Sequence, residues 1–99
     1  MKSSWNIYKW TEYRDLNDPR IVRRTVEYGV VKSNESEENA DAYLMSLTRM
    51  AEKKGWTYHA DIGQHSISVR YMNNEHVIMY FTAKKELGFG KIPFHPSTH

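Results

Sequence analysis

Three residues in the second half of the chain have the types and spacing of a metal site, His59-x-Asp61-x3-His65. Imidazole nitrogens and carboxylate oxygens are ligands that zinc accepts in proteins. His59 and Asp61 share one face of a predicted strand, and His65 follows a bend, so the three side chains can converge. Surface histidines produce the same pattern, and spacing does not show the hydrogen-bonded groups that orient metal ligands. We therefore expect neither a metal nor another cofactor.

The same histidine belongs to a short motif, Gly63-Gln64-His65-Ser66, which follows a predicted helix ending in Gly55-Trp56. This arrangement resembles HicA-type messenger-RNA interferases, in which a helix ending in Gly-Trp precedes a strand and a catalytic histidine. The resemblance covers Leu44 to Tyr80, and departs from the family at Gln64 and in the two strands before the helix. It implies that His65 would act as general base or acid in RNA cleavage. The alternative is a structural bulge at the glycine.

Cationic and aromatic side chains are interleaved along the predicted strands. The set comprises Arg14, Arg20, Arg23, Arg24, Lys32, Arg70, Lys84, Lys85 and Lys91 with Trp10, Tyr13, Tyr28, Tyr71, Tyr80 and Phe81. Single-stranded nucleic acids are held in this way, because cations contact phosphates while bases stack on rings. Strands are rich in aromatic residues in any case, and the pI of 8.9 is below that typical of nucleic-acid binders. RNA or single-stranded DNA is therefore an alternative partner.

A cluster of acidic residues could form an acid–base pair or an acidic decoy surface. It consists of Glu35, Glu37, Glu38 and Asp41. All four lie at the predicted start of a helix, where the helix dipole favours negative charge, so a structural role already explains them. The chain has no glycine-rich phosphate loop and no Ser-His-Asp order. An enzyme is accordingly not the leading interpretation.

The helix that follows these acids is the best-defined element, and we predict it from Glu35 to Lys54. Its apolar residues recur at spacings of three, four and seven: Ala40, Tyr43, Leu44, Leu47, Met50 and Ala51. Asn34 or Ser36 can cap its start, and Asn34 with Glu37 has capping-box spacing. Gly55 supplies a left-handed cap at its end.

Strands precede and follow the helix. They are predicted at Trp5–Tyr13, Ile21–Lys32, Trp56–Tyr71 and His76–Lys85. The turn 15–20 makes a hairpin of the first two strands, and Asn73-Asn74-Glu75 makes a hairpin before the last. The apolar phase flips after Gly63-Gln64, which indicates a bulge or a tight turn between two short strands.

The alternation within the strands predicts which residues face the helix. The predicted partners of the helix are Val22, Val26, Val69, Val77, Met79 and Phe81. The first strand is ambiguous, because both of its faces carry aromatic residues. Ile78 and Tyr80 alternate outward with no second helix to cover them, and an exposed apolar patch of this kind usually meets a partner.

Length and composition favour one α+β domain of 99 residues, with an antiparallel sheet of four to five strands and one long helix on one face in the order β-β-α-β-β. Residues 86–99 are expected to pack on it as an irregular segment. The absence of cysteine favours a reducing compartment. The first residues do not resemble a signal peptide, and no apolar stretch approaches ~18 residues. We therefore expect a cytoplasmic protein that does not contact membranes.

The function that these observations favour is a non-enzymatic regulatory or inhibitory module. It would dock a protein partner, or a second copy of itself, through an aromatic and partly basic sheet face. The candidate binding residues are Arg23, Arg24, Arg70, Ile78, Tyr80 and Trp10. By analogy, many regulators from phages and mobile elements are small domains of this kind. Single-stranded nucleic-acid binding and a HicA-like ribonuclease using His65 are the alternatives.

Overall fold

The computed structural model describes residues 4–86, with the backbone alone for residues 27 and 28. Its elements are β1 (Ser4–Arg14), β2 (Val22–Glu35), α1 (Glu37–Lys54), β3 (Thr57–Asp61), β4 (Ser66–Met72) and β5 (His76–Glu86), with a 3₁₀ turn at Ile62–Gln64. The strands form one antiparallel sheet in the order β2-β1-β5-β4-β3. The predicted α+β fold is confirmed. Glu86 closes β5, and the remainder of the predicted C-terminal segment lies outside the described residues.

Local capping chemistry fixes both ends of α1. The Ser36 hydroxyl oxygen accepts a hydrogen bond from the Asn39 backbone N–H at 3.0 Å. Gly55 has a φ of 76° and donates its own N–H to carbonyls of the last turn, as predicted. Asn34 is not the cap, because it belongs to β2 with a φ of 59°. The helix therefore starts two residues later than predicted.

The core lies between α1 and the sheet. Its buried residues are Ile7, Ala40, Leu44, Ala51, Ile67, Val69, Phe81 and Ala83. Tyr43, Leu47 and Met79 are only partly buried and pack around this cluster. Thr48 is buried in α1, where its hydroxyl donates to the Met45 carbonyl at 2.6 Å. The predicted helix face is thus largely confirmed, and β1 contributes the fully buried Ile7 to the same core.

The predicted burial of Val22 and Val26 against the helix is wrong, although β2 does contact α1 through Lys32, whose Nζ lies 5.7 Å from the centre of the Tyr43 ring. Val22 and Val26 keep 44% and 47% of their surface exposed, because β2 is an edge strand. Repeated register shifts against β1 also change the face that successive residues occupy. Val26 lies opposite Thr11 on the helix side, whereas Val30 lies opposite Tyr8 on the other side. The residues of β2 therefore do not alternate regularly between the two faces of the sheet.

The sheet face opposite α1 is hereafter the open face. It carries the even-numbered residues of β1, β5 and β4, among them Tyr8, Trp10, Glu12, Arg14, Ser66, Ser68, Arg70, His76, Ile78, Tyr80, Thr82 and Lys84. The ambiguity of β1 is resolved, since Trp5 and Ile7 face the helix core. Tyr8 and Trp10 consequently belong to the open face.

Candidate binding face

A stacked aromatic pair occupies the middle of the open face. Trp10 of β1 and Tyr80 of β5 are cross-strand partners, with ring centroids 5.0 Å apart and planes inclined by 14°. The Tyr80 hydroxyl donates to Glu12 Oε1 at 3.2 Å. Burial raises the pKa of the Tyr80 hydroxyl, and the Glu12 carboxylate raises it further. Arg14 and Arg70 act in the opposite direction and lower this pKa, because both cations lie close to the hydroxyl.

Glu12 also holds the guanidinium of Arg14 on this face. Arg14 donates from Nη2 and Nε to Glu12 Oε1, at 2.6 and 3.1 Å. This hydrogen bonding is the main reason that the pKa of Arg14 is raised. Arg14 Nη1 donates in addition to the Pro19 carbonyl at 3.0 Å. One arginine therefore ties strand β1 to the β1–β2 loop.

The β1–β2 loop has its own polar scaffold. Asp15 Oδ2 accepts hydrogen bonds from the backbone N–H groups of Asn17 and Asp18, both at 3.0 Å. The guanidinium of Arg20 binds both carboxylate oxygens of Asp18. Arg23 Nη1 donates to Asp15 Oδ1 at 2.7 Å. These contacts give the loop a defined shape beside the sheet.

Loop and sheet together enclose a cleft of about 180 Å³, hereafter the arginine cleft. It is lined by Arg14, Pro19, Arg20, Arg70, His76, Ile78 and Tyr80. Arg70 and His76 also line a larger neighbouring cavity of about 500 Å³ near Gly55 and Trp56. The open face is therefore concave on one side of the aromatic pair.

Three of the six predicted binding residues share the open face: Trp10, Tyr80 and Arg70. Ile78 lies among them but is only 4% exposed. Its predicted exposure is wrong, because arginine side chains and the β1–β2 loop surround it. Ile78 therefore forms the floor of the cleft and does not project from the sheet to contact a partner.

The two remaining predicted residues lie elsewhere. Arg23 is paired with Asp15 in the loop. Arg24 lies opposite Tyr13, with its guanidinium 4.0 Å from the centre of that ring, and pairs with Glu75. It is therefore on the helix side of the sheet. The six predicted binding residues did not include Arg14, Arg20 or His76, although Arg14 and Arg20 belong to the cationic set predicted for the nucleic-acid alternative.

The three residues considered as a metal site, His59, Asp61 and His65, do not converge. Asp61 accepts a hydrogen bond from the Gln64 backbone N–H, and His59 is exposed on the edge strand β3. His65 instead lies beside helix α1, where Glu37 and Asp41 each place one oxygen within 4.8 Å of one of its ring nitrogens and of each other. Spacing along the strand could not show that the nearest carboxylates come from the helix.

His65 is held in place by its backbone and by its ring. Its φ is 52°, and its carbonyl accepts the Ala83 N–H at 2.9 Å. Its Nδ1 is 2.8 Å from Asp41 Oδ1, and its ring lies 4.7 Å from that of Trp5. The adjoining cavity measures only about 10 Å³, enough for about one water molecule. His65 thus has a carboxylate partner beside a small cavity.

Comparison of the chain with known protein families, curated proteins and solved structures gave no match. Within residues 4–86, no helix combines the length and the apolar character needed to cross a lipid bilayer.

Proposed function

We propose that this protein is a non-enzymatic binding module that regulates or inhibits a protein partner by docking it on the open face. The observation that carries the proposal is the unit formed by Trp10, Tyr80, Glu12 and Arg14, which stacking and hydrogen bonds hold together. Tryptophan, tyrosine and arginine are the residue types enriched in binding hot spots. Side chains that are already ordered lose little conformational entropy on binding.

The charges of the open face favour an acidic partner. Arg14, Arg20 and Arg70 surround one cleft, and Glu12 and Asp18 neutralise only two of them. A second copy of this chain would present the same arginines, and like charges across an interface are unfavourable. We therefore infer a partner other than a second copy, with a negatively charged contact surface.

Single-stranded nucleic acid is the second candidate. The observation in its favour is that Tyr8, Trp10 and Tyr80 lie on the two central strands of a sheet that also carries arginines. Against it, Trp10 and Tyr80 stack on each other. Each ring thus has one face less for a base.

Capture of partners from a lysate of cells that naturally produce the protein separates the two candidates. We expect a protein that remains bound after nuclease treatment. Trp10→Thr should weaken its binding about 30-fold, the effect of removing a hot spot of ~2 kcal/mol. Tyr58→Thr is the matched control, because Tyr58 lies on β3, opposite Val69, on the helix side of the sheet.

Two results would contradict the proposal. Loss of the captured material on nuclease treatment would replace it with nucleic-acid binding. Equal retention of the partner by both variants, each with an unchanged circular dichroism spectrum, would show that the open face is not the docking surface.

A further inference from the structure

Three guanidiniums line the arginine cleft, and some of their N–H groups make no hydrogen bond to the described residues. A guanidinium has five N–H groups. Arg14 uses three of them, on Glu12 and the Pro19 carbonyl, and Arg20 uses two, on Asp18. The Arg70 guanidinium makes no hydrogen bond or ion pair with residues 4–86, although its backbone is paired in the sheet and its cation lies near the Tyr80 hydroxyl. The cleft therefore offers donors from three guanidiniums to an anion that enters it.

The floor of the cleft has a different chemistry from its walls. Ile78 is 4% exposed at the base, and Pro19 and the ring of Tyr80 also line the space. An apolar floor favours a ligand whose anionic group is carried on an aliphatic stem, since the stem gains from leaving water. A bare, strongly hydrated anion would contact this floor without such a gain.

We propose that the arginine cleft binds the side-chain carboxylate of a glutamate in an acidic segment of the partner protein. Guanidinium and carboxylate form paired, charge-assisted hydrogen bonds, and the glutamate methylenes would lie over Ile78. The neighbouring cavity of about 500 Å³ shares Arg70 and His76 with the cleft, so the adjoining residues of the segment have space beside it. This inference rests on the proposed function and specifies the chemistry that the docking surface recognises.

A direct test uses fluorescence anisotropy with a fluorescein-labelled ten-residue peptide in which glutamate alternates with serine. A peptide with glutamine in place of glutamate and a ten-nucleotide single-stranded DNA of mixed sequence are the comparison probes. We expect binding of the glutamate peptide alone. Arg70→Gln should weaken it about tenfold, the effect of losing one hydrogen bond to a charged group. Arg49→Gln removes the same charge from the exposed surface of α1 and should leave the affinity unchanged.

Each other result overturns the inference. Equal loss of affinity in Arg70→Gln and Arg49→Gln would mean that net charge and not the cleft attracts the peptide. Binding of the DNA but not of the glutamate peptide would assign the cleft to phosphates. If no probe binds, the cleft is not a carboxylate site. The same conclusion follows if Trp10→Thr releases a captured partner but Arg70→Gln does not weaken its binding. In both cases the open face can still be the docking surface. Retention of that partner by Trp10→Thr would instead remove the proposed function.

Discussion

At the scale of single residues, Glu12 connects the parts of the open face. Its Oε1 atom accepts from the Tyr80 hydroxyl and from Arg14, which in turn reaches the Pro19 carbonyl of the loop. Hydrogen bonds to a charged group contribute more than neutral ones, about 1.5–3 kcal/mol where they are shielded from water. Glu12 therefore orients an aromatic residue, a cation and a loop with one carboxylate.

This geometry makes stability sensitive to alkaline pH through Tyr80. Its pKa is raised in the folded protein, mainly by burial and then by Glu12. The Tyr80 hydroxyl makes its full contribution to the free energy of unfolding at a pH below its pKa in the unfolded chain, about 10. This contribution is lost as the pH rises through the higher pKa of the folded protein. The melting temperature of the wild type should thus fall more steeply above pH ~10 than that of Tyr80→Phe. Parallel melting curves for the two proteins from pH ~9 to ~11.5 would contradict the assignment.

At the scale of elements, the sequence predicted the features that depend on neighbouring residues alone, which are the helix and the two hairpins. The helix followed from its apolar spacing and from Gly55, and both hairpins followed from their turn residues. The position of β2 in the sheet could not be derived in this way, because strand order depends on which distant strands pair. Its valines resemble core residues, but Val26 and Val30 are 47% and 53% exposed at an edge.

Two alanine substitutions test the position of β1 as an inner strand of the sheet and of β2 as an edge strand. Ile7 is fully buried, so Ile7→Ala should lower the free energy of unfolding by ~2–5 kcal/mol. Val26→Ala should change it by less than ~0.5 kcal/mol, the range of surface substitutions. Urea denaturation followed by circular dichroism measures both. A larger loss for Val26→Ala than for Ile7→Ala would mean that β2, and not β1, packs against the helix.

At the scale of the whole molecule, the candidate site is built from parts that are far apart in the sequence. Trp10 and Tyr80 were predicted to contribute, because an exposed patch on a sheet face that no helix covers usually meets a partner. The burial of Ile78 could not be predicted, because it requires the β1–β2 loop to lie beside strand β5. The separation of Arg23 from Arg24 likewise depends on irregular pairing along β2.

The central claim is that the partner docks on the open face. Amide and side-chain chemical shifts of the ¹⁵N-labelled protein, recorded as the captured partner is added, test it most directly. We expect the largest changes at the Trp10 indole N–H, at the Arg70 Nε–H and along the backbone on either side of Tyr80. Small changes there, with the largest ones on the outer surface of α1 or along the edge strand β2, would contradict the account.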